Sequence, residues 1–62
     1  MTPDPDYTGY TENEARETAT QNGLTTRITR KDNNYPAITR DFRTDRVNLE
    51  IINNRVTKSY LG

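Results

Sequence analysis

The sequence contains no cysteine, no histidine and no tryptophan, and Ser59 is its only serine. Without cysteine no disulfide can staple so short a chain, and without histidine no Ser-His-Asp or Cys-His arrangement can form within it. The same two absences exclude thiolate and imidazole metal sites. Paired carboxylates remain, but 62 residues offer no deep pocket around them. We therefore expect no enzyme activity, no catalytic residue, no metal site and no cofactor.

Glycine and long apolar runs are also scarce. The three glycines stand apart at positions 9, 23 and 62, so the chain has no glycine-rich phosphate loop. No apolar run approaches the roughly 18 residues that a membrane span needs, and no basic-then-apolar signal peptide is visible. We expect a monomer with no membrane partner, secreted or extracellular if a leader was removed and cytoplasmic otherwise.

Charge is balanced overall but unevenly placed along the chain. Residues 1–17 carry five acidic side chains and one arginine, whereas residues 18–62 carry eight basic and four acidic side chains. Such asymmetry can indicate a nucleic-acid partner. Asp32, Asp41 and Asp45 interrupt the basic positions, however, so we expect the two halves to attract each other within one fold and no nucleic acid to bind.

A helix is predicted over residues 12–22. Thr11 can cap its first turn, and Glu14 three residues later completes a capping box. Gly23 directly after the segment is a typical helix stop. Before the helix, residues 1–8 contain two prolines and two aspartates, which favours an extended N-terminal segment.

Alternating apolar and polar residues predict strands over residues 24–30 and 46–51. The pair Asn53-Asn54 can adopt the left-handed turn geometry that leads into a short strand from Arg55 to about residue 58. The fold class is therefore α+β, with one helix packed on a small mixed β-sheet in a single domain over residues 9–62. The predicted core consists of small and aliphatic side chains: Ala15, Ala19, Leu24, Ile28, Val47, Leu49, Ile51, Val56 and Leu61. The tyrosines are expected to cover this thin core: Tyr7, Tyr10, Tyr35 and Tyr60.

The segment between the two main strands has no apolar period. Residues 31–45 begin with the turn-like cluster Lys-Asp-Asn-Asn and continue through Pro36 into a run of charges. A connection of this length without secondary structure is uncommon in a small domain unless it has a function. We therefore predict a long exposed loop that binds a partner.

Residues 38–49 read Ile-Thr-Arg-Asp-Phe-Arg-Thr-Asp-Arg-Val-Asn-Leu. The threonine, acid, aromatic and Asp-Arg-Val residues at these offsets resemble the reactive-site loop and supporting strand of the potato inhibitor I family of serine protease inhibitors, and of a related bacterial inhibitor family. The segment 9–15 resembles the start of the helix in those proteins, and Leu-Gly at 61–62 resembles their usual ending. The resemblance thus covers residues 9–62.

The resemblance implies that this chain inhibits a trypsin-like or subtilisin-like serine protease. Arg40 would enter the primary specificity pocket of the protease, and Arg40–Asp41 would be the reactive bond. The protease-binding loop would consist of Ile38, Thr39, Arg40, Asp41, Phe42 and Arg43.

In such inhibitors, two arginines of the next strand hydrogen-bond the residues that flank the reactive bond. Arg46 matches the first of them, but Asn48 stands at the second position, and its short neutral side chain cannot supply the same charged fork. Arg43 could partly compensate if it turned inward. The loop-bracing residues implied by the resemblance are Thr39, Asp41, Arg46 and Asn48.

Other interpretations stay open at this point. The residue at position 48 is compatible with an inhibitor-fold interaction module that has lost inhibition. A weak nucleic-acid-binding protein is a further alternative, and it would bind through basic residues of the second half. Phe42 can belong either to the protease contact or to a small satellite core.

Overall fold

The computed structural model describes residues 6–62, and the first five residues of the predicted extended segment lie outside this range. One helix precedes a three-stranded sheet, so the α+β fold class is confirmed. The elements follow in the order α1 (Glu12–Gln21), β1 (Thr25–Lys31), β2 (Arg46–Ile52) and β3 (Arg55–Leu61).

Helix α1 starts at the predicted capping box. The Thr11 hydroxyl accepts from the Glu14 backbone N–H at 3.2 Å, and the Glu14 carboxylate accepts from the Thr11 N–H at 2.9 Å. The helix ends at Gln21, one residue before the predicted end, and Gly23 follows with a left-handed φ of 74°. Leu24 was predicted to open β1, but its N–H donates to Ala19 O at 2.8 Å and so completes the helix end.

The sheet is mixed, with β2 in the centre. Strand β1 runs parallel to β2, and β3 runs antiparallel to β2 after a turn in which Asn53 and Asn54 have φ values of 52° and 62°. Strand β2 continues to Ile52, one residue past its predicted end. Strand β3 runs three residues further than predicted, because Tyr60 and Leu61 pair with the first half of β2.

The core lies between α1 and one face of the sheet. Six of the nine predicted core residues are fully buried: Ala15, Ala19, Val47, Leu49, Ile51 and Val56. The other three are partly buried against them: Leu24, Ile28 and Leu61. Alanines on the helix allow its axis to come close to the sheet, which suits a chain with few large apolar residues.

Tyr7 is a core residue that belongs to the predicted N-terminal extension. It is buried, and its N–H donates to Ser59 Oγ at 3.0 Å. The following segment lies along β3, since Gly9 N donates to Val56 O and Val56 N donates to Tyr10 O, both at 2.8 Å. The described end of the extension is therefore part of the packed domain.

The other tyrosines differ in how far they cover the core. Tyr10 stacks on Tyr7 with ring centroids 5.7 Å apart, and Tyr60 is half-buried on β3. Tyr35 is mostly exposed and lies beneath the guanidinium of Arg30, so its predicted place over the core is wrong.

Opposite charges join the two halves of the chain, as their distribution predicts. Lys31 Nζ lies 3.0 Å from Glu12 Oε1, which ties the end of β1 to the start of α1. The ammonium group of Lys31 is the main cause that lowers the pKa of Glu12. In residues 6–62 no helix is long and apolar enough to cross a membrane.

The parallel pairing of β1 and β2 requires a long connection. Thr25 at the start of β1 pairs with Arg46 at the start of β2, so the chain must return along the whole sheet after Lys31. Such crossovers usually contain a helix, but residues 35–43 have neither helix nor strand. The topology of the sheet therefore accounts for the length of this segment, but it does not account for the exposure of the side chains in it.

Candidate functional site

The loop of interest comprises residues 35–43. Every residue in it is exposed, including three large apolar or aromatic ones, Tyr35 at 68%, Ile38 at 48% and Phe42 at 74%. None of these residues has a positive φ. Phe42 is therefore not part of a satellite core; its ring lies at the edge of the loop beside Gly62.

Arg40 is exposed in the middle of the loop, and within the described residues its side chain has no hydrogen-bond or ion-pair partner. Its carbonyl oxygen likewise accepts no hydrogen bond from residues 6–62. The carbonyl oxygens of Thr39 and Asp41, on either side, each accept a hydrogen bond from an arginine of the sheet. Within residues 6–62, the sheet thus holds the two neighbours of Arg40, whereas Arg40 itself is not held.

Arg46, the first residue of β2, holds the loop after Arg40. Its Nη2 donates to Asp41 O at 2.6 Å, and its Nη1 lies 3.3 Å from Asp41 Oδ2. The same guanidinium donates to Gly62 O, at 2.7 Å from Nη2 and 3.2 Å from Nε. Only 12% of the Arg46 side chain is exposed. Arg46 therefore connects the loop to the end of β3.

Asp41 is the acidic residue after Arg40, and its carboxylate is held from two sides. The Thr39 hydroxyl donates to Asp41 Oδ1, and Arg46 pairs with Oδ2. The hydrogen bond from Thr39 is the largest cause that lowers the pKa of Asp41 to about 2, and a backbone hydrogen bond and Arg46 act in the same direction. The carboxylate is thus ionised at neutral pH and links Thr39 to the sheet.

Arg27 of β1 is a contact residue that the sequence did not single out for the loop. Its Nη1 donates to Thr39 O at 3.2 Å and lies 3.7 Å from Asp41 Oδ1. Its Nε donates to Asn48 Oδ1 at 2.7 Å. The alternation in β1 places Arg27 on the polar side of the strand, but only the parallel register with β2 brings Arg27 beside Asn48.

Asn48 lies within the protein, on the same side of β2 as Arg46. Only 1% of Asn48 is exposed. Alternate strand residues point to opposite faces, so Asn48 faces away from the core of Val47 and Leu49. On that second face, Asn48 Oδ1 accepts a hydrogen bond from Arg27. Gly62 lies close to the amide nitrogen of Asn48, since a Cβ added at Gly62 would stand 3.0 Å from Nδ2.

Gly62 suits this crowded place. It is buried and has a φ of 152°, a conformation that residues with a side chain rarely adopt. Its N–H donates to Arg46 O at 3.1 Å, and its oxygen accepts from the Arg43 N–H at 3.2 Å as well as from the Arg46 side chain. Any side chain at this position would press on Asn48 Nδ2.

Arg43 does not turn inward to brace the loop. Its side chain turns to Asp45, with Nε 3.0 Å from Oδ1 and Nη2 3.2 Å from Oδ2, and 54% of it is exposed. This pairing raises the pKa of Arg43 and lowers the pKa of Asp45. Arg43 and Asp45 therefore form a surface pair beside the loop.

The described residues contain no group of three or more acidic side chains that could hold a metal ion. No pocket occurs in that part of the chain either.

Comparison with known proteins leaves the family of the chain undecided. No protein-family model, no curated protein and no solved structure matches the chain.

Proposed function

We propose that this chain is a substrate-like inhibitor of a trypsin-like or subtilisin-like serine protease, with Arg40–Asp41 as the reactive bond. One observation carries the proposal: arginines of the sheet hold the carbonyl oxygens of Thr39 and Asp41, whereas the side chain and carbonyl of Arg40 are free. A protease needs access to that side chain and that carbonyl, one for its specificity pocket and the other for its oxyanion hole.

Pre-organisation explains how such a loop would bind tightly. A flexible peptide loses conformational freedom when it enters a protease cleft, and this loss weakens binding. A loop that is already held on both sides of Arg40 loses less. The exposed apolar side chains of Ile38 and Phe42 flank Arg40 and add contact area on both sides of the reactive bond.

The same network explains why cleavage would be unproductive. The protease serine forms an ester with the Arg40 carbonyl carbon, and the bond from that carbon to the Asp41 nitrogen breaks. The Asp41 nitrogen takes up the proton that the serine hydroxyl gave up. Arg46 keeps Asp41 attached to the sheet, so the new amine stays near the ester. When the amine attacks the ester carbon, the peptide bond re-forms and the serine recovers its proton.

Arg40 would set the specificity, because a buried acidic group in the protease pocket pairs with a basic side chain. The sharpest test is a change of specificity. We expect the unmodified chain to inhibit trypsin, and Arg40→Phe to lose at least about thirtyfold in affinity for trypsin, since an unpaired charge in such a pocket costs about 2–5 kcal/mol. The same variant should gain inhibition of chymotrypsin, which has an apolar pocket.

Arg16→Phe makes the same replacement on the exposed side of α1 and is the matched control. It should inhibit trypsin as the unmodified chain does. The proposal fails if the unmodified chain inhibits neither trypsin nor subtilisin, or if Arg40→Phe and Arg16→Phe inhibit trypsin equally well. Rapid and permanent cleavage of Arg40–Asp41 would instead indicate an inhibitor-fold module that has lost inhibition.

A further inference from the structure

Position 48 is where the resemblance requires an arginine and this chain has asparagine. The amide of Asn48 is buried, and among residues 6–62 it makes no hydrogen bond to the loop. Its one charged contact in that range is Arg27, which lies beside it in the register of the parallel strands. Arg27 does reach the loop, at Thr39 O. The contact expected from β2 therefore comes from β1.

We propose that Arg27 is a positioning residue that holds the loop on the Arg40 side of the reactive bond, and that Asn48 is its anchor. This inference rests on the proposed function for its effect on inhibition, but the contacts that carry it exist in the free protein. They assign a role to two residues at once: Arg27 supplies the charge and the length, and Asn48 fixes the direction of the guanidinium.

The contact distances support this division of roles. A single guanidinium donates to Asn48 Oδ1 at 2.7 Å through Nε and to Thr39 O at 3.2 Å through Nη1. Hydrogen bonds with an ionised donor are stronger than neutral ones. Arginine has a planar, rigid set of donors, so fixing Nε also fixes the direction of Nη1. Only 20% of the Arg27 side chain is exposed, which further limits its movement.

The consequence is that each side of the reactive bond has its own arginine. Arg27 holds Thr39 on the side that ends in Arg40, and Arg46 holds Asp41 on the other side. After the bond is cut, the two new ends would remain attached to different strands of the same sheet. Loss of Arg27 should therefore loosen the Arg40 end, which would keep only the hydrogen bond from Thr39 to Asp41, and leave the Asp41 end in place.

The first arm of the test uses Arg27→Ala. We expect its inhibition constant for trypsin to rise about 10- to 100-fold, because a hydrogen bond to a charged group contributes about 1.5–3 kcal/mol. Net hydrolysis of Arg40–Asp41, followed by mass spectrometry, should accelerate as well. Arg30→Ala is the matched control, since Arg30 lies on the same strand but donates to Asp32 O and covers Tyr35.

The second arm separates positioning from simple loss of charge. Arg27→Lys keeps the charge, but a single ammonium cannot repeat the fixed pair of contacts, so it should restore only part of the inhibition. Asn48→Leu removes the anchor and keeps Arg27, and it should weaken inhibition less than Arg27→Ala does. The double variant Arg27→Gln with Asn48→Arg moves the guanidinium to β2 and should regain inhibition relative to Arg27→Ala.

The third arm does not depend on inhibition. In the free protein, ¹⁵N relaxation should show lower order parameters at Thr39 and Arg40 in Arg27→Ala than in Arg30→Ala, with equal order in the helix. If the unmodified chain inhibits no protease but this difference is found, the proposed function fails and the positioning role stands. Equal loop order in the two variants would overturn the role of Arg27, and so would equal inhibition by them if the unmodified chain does inhibit trypsin.

Discussion

The two faces of the sheet are held by different forces. On the helix face, Val47, Leu49 and Ile51 of β2 are fully buried in an apolar cluster with the alanines of α1. On the opposite face, Asn48 and Arg46 make hydrogen bonds to polar groups of the loop and its supports. One strand thus contributes to the core and to the candidate site with alternate residues.

The two faces allow so small a chain to separate stability from function. Apolar burial has no preferred direction and depends on the area removed from water, so it stabilises the domain without fixing the loop. Hydrogen bonds from a guanidinium are directional, so they fix the orientation of individual carbonyl groups. We therefore expect core variants to change the free energy of unfolding and loop-face variants to change the behaviour of the Arg40–Asp41 bond.

The largest effect should come from Leu49→Ala on the helix face. Removal of a buried leucine side chain costs about 2–5 kcal/mol, a large share of the stability of a domain this small. Urea unfolding should show a much lower midpoint or no folded baseline. Ile38→Ala in the exposed loop is the control and should change the free energy of unfolding by less than about 0.5 kcal/mol. Equal losses in both variants would erase the distinction between the faces.

A smaller change in stability but a clear change in inhibition should follow from Arg46→Gln on the loop face. This variant loses the charged contacts to Asp41 and Gly62. We expect the inhibition constant for trypsin to rise about 10- to 100-fold, from contacts that contribute about 1.5–3 kcal/mol. Arg55→Gln is the control, because Arg55 also donates to a glycine oxygen, that of Gly9, away from the loop. Equal inhibition by the two variants would show that the contacts of Arg46 do not hold the loop for inhibition.

The smallest effect is a titration at the loop itself. Thr39→Val removes the hydroxyl that contributes most to the low pKa of Asp41, so this pKa should rise from about 2 toward 3.8. A lowered pKa means that the ionised carboxylate stabilises the folded loop above about pH 4 and that this contribution disappears as the pH falls through about 2. In the variant this contribution should be smaller, because the pKa of Asp41 in the folded loop lies closer to 3.8, and what is left of it should be lost at a higher pH.

The carboxyl ¹³C shift of Asp41 against pH measures this titration directly. Thr39→Ser keeps a hydroxyl and should keep the low pKa. If Asp41 titrates at the same pH in Thr39→Val and in the unmodified chain, the hydrogen bond from Thr39 does not control the carboxylate.

Local signals in the sequence were enough to predict most of the fold. The capping box of Thr11 and Glu14 sets the start of α1, and the paired asparagines at 53–54 set the turn into β3, because both features depend on residues close together in the chain. The alternation in β2 correctly separated Val47, Leu49 and Ile51 as core residues. These patterns need no knowledge of which strand is the neighbour.

Long-range pairing limited the rest. The burial of Asn48 could not be predicted, because alternation gives only the face of a strand and does not reveal what covers that face. Arg27 was overlooked for the loop because its contact with Thr39 depends on the parallel register of β1 and β2. Tyr7 covers the core as expected, but its place against β3 could not be predicted, because the nearby prolines indicate only an extended segment.

If both sides of the Arg40–Asp41 bond stay attached to the sheet, cleavage of this bond must be reversible. The chain is left with a catalytic amount of trypsin, and mass spectrometry follows the ratio of intact protein to protein cut after Arg40. We expect this ratio to reach a constant value with intact protein still present, and purified cut protein to return to the same value. Cleavage that runs to completion, with no return from the cut form, would contradict this expectation.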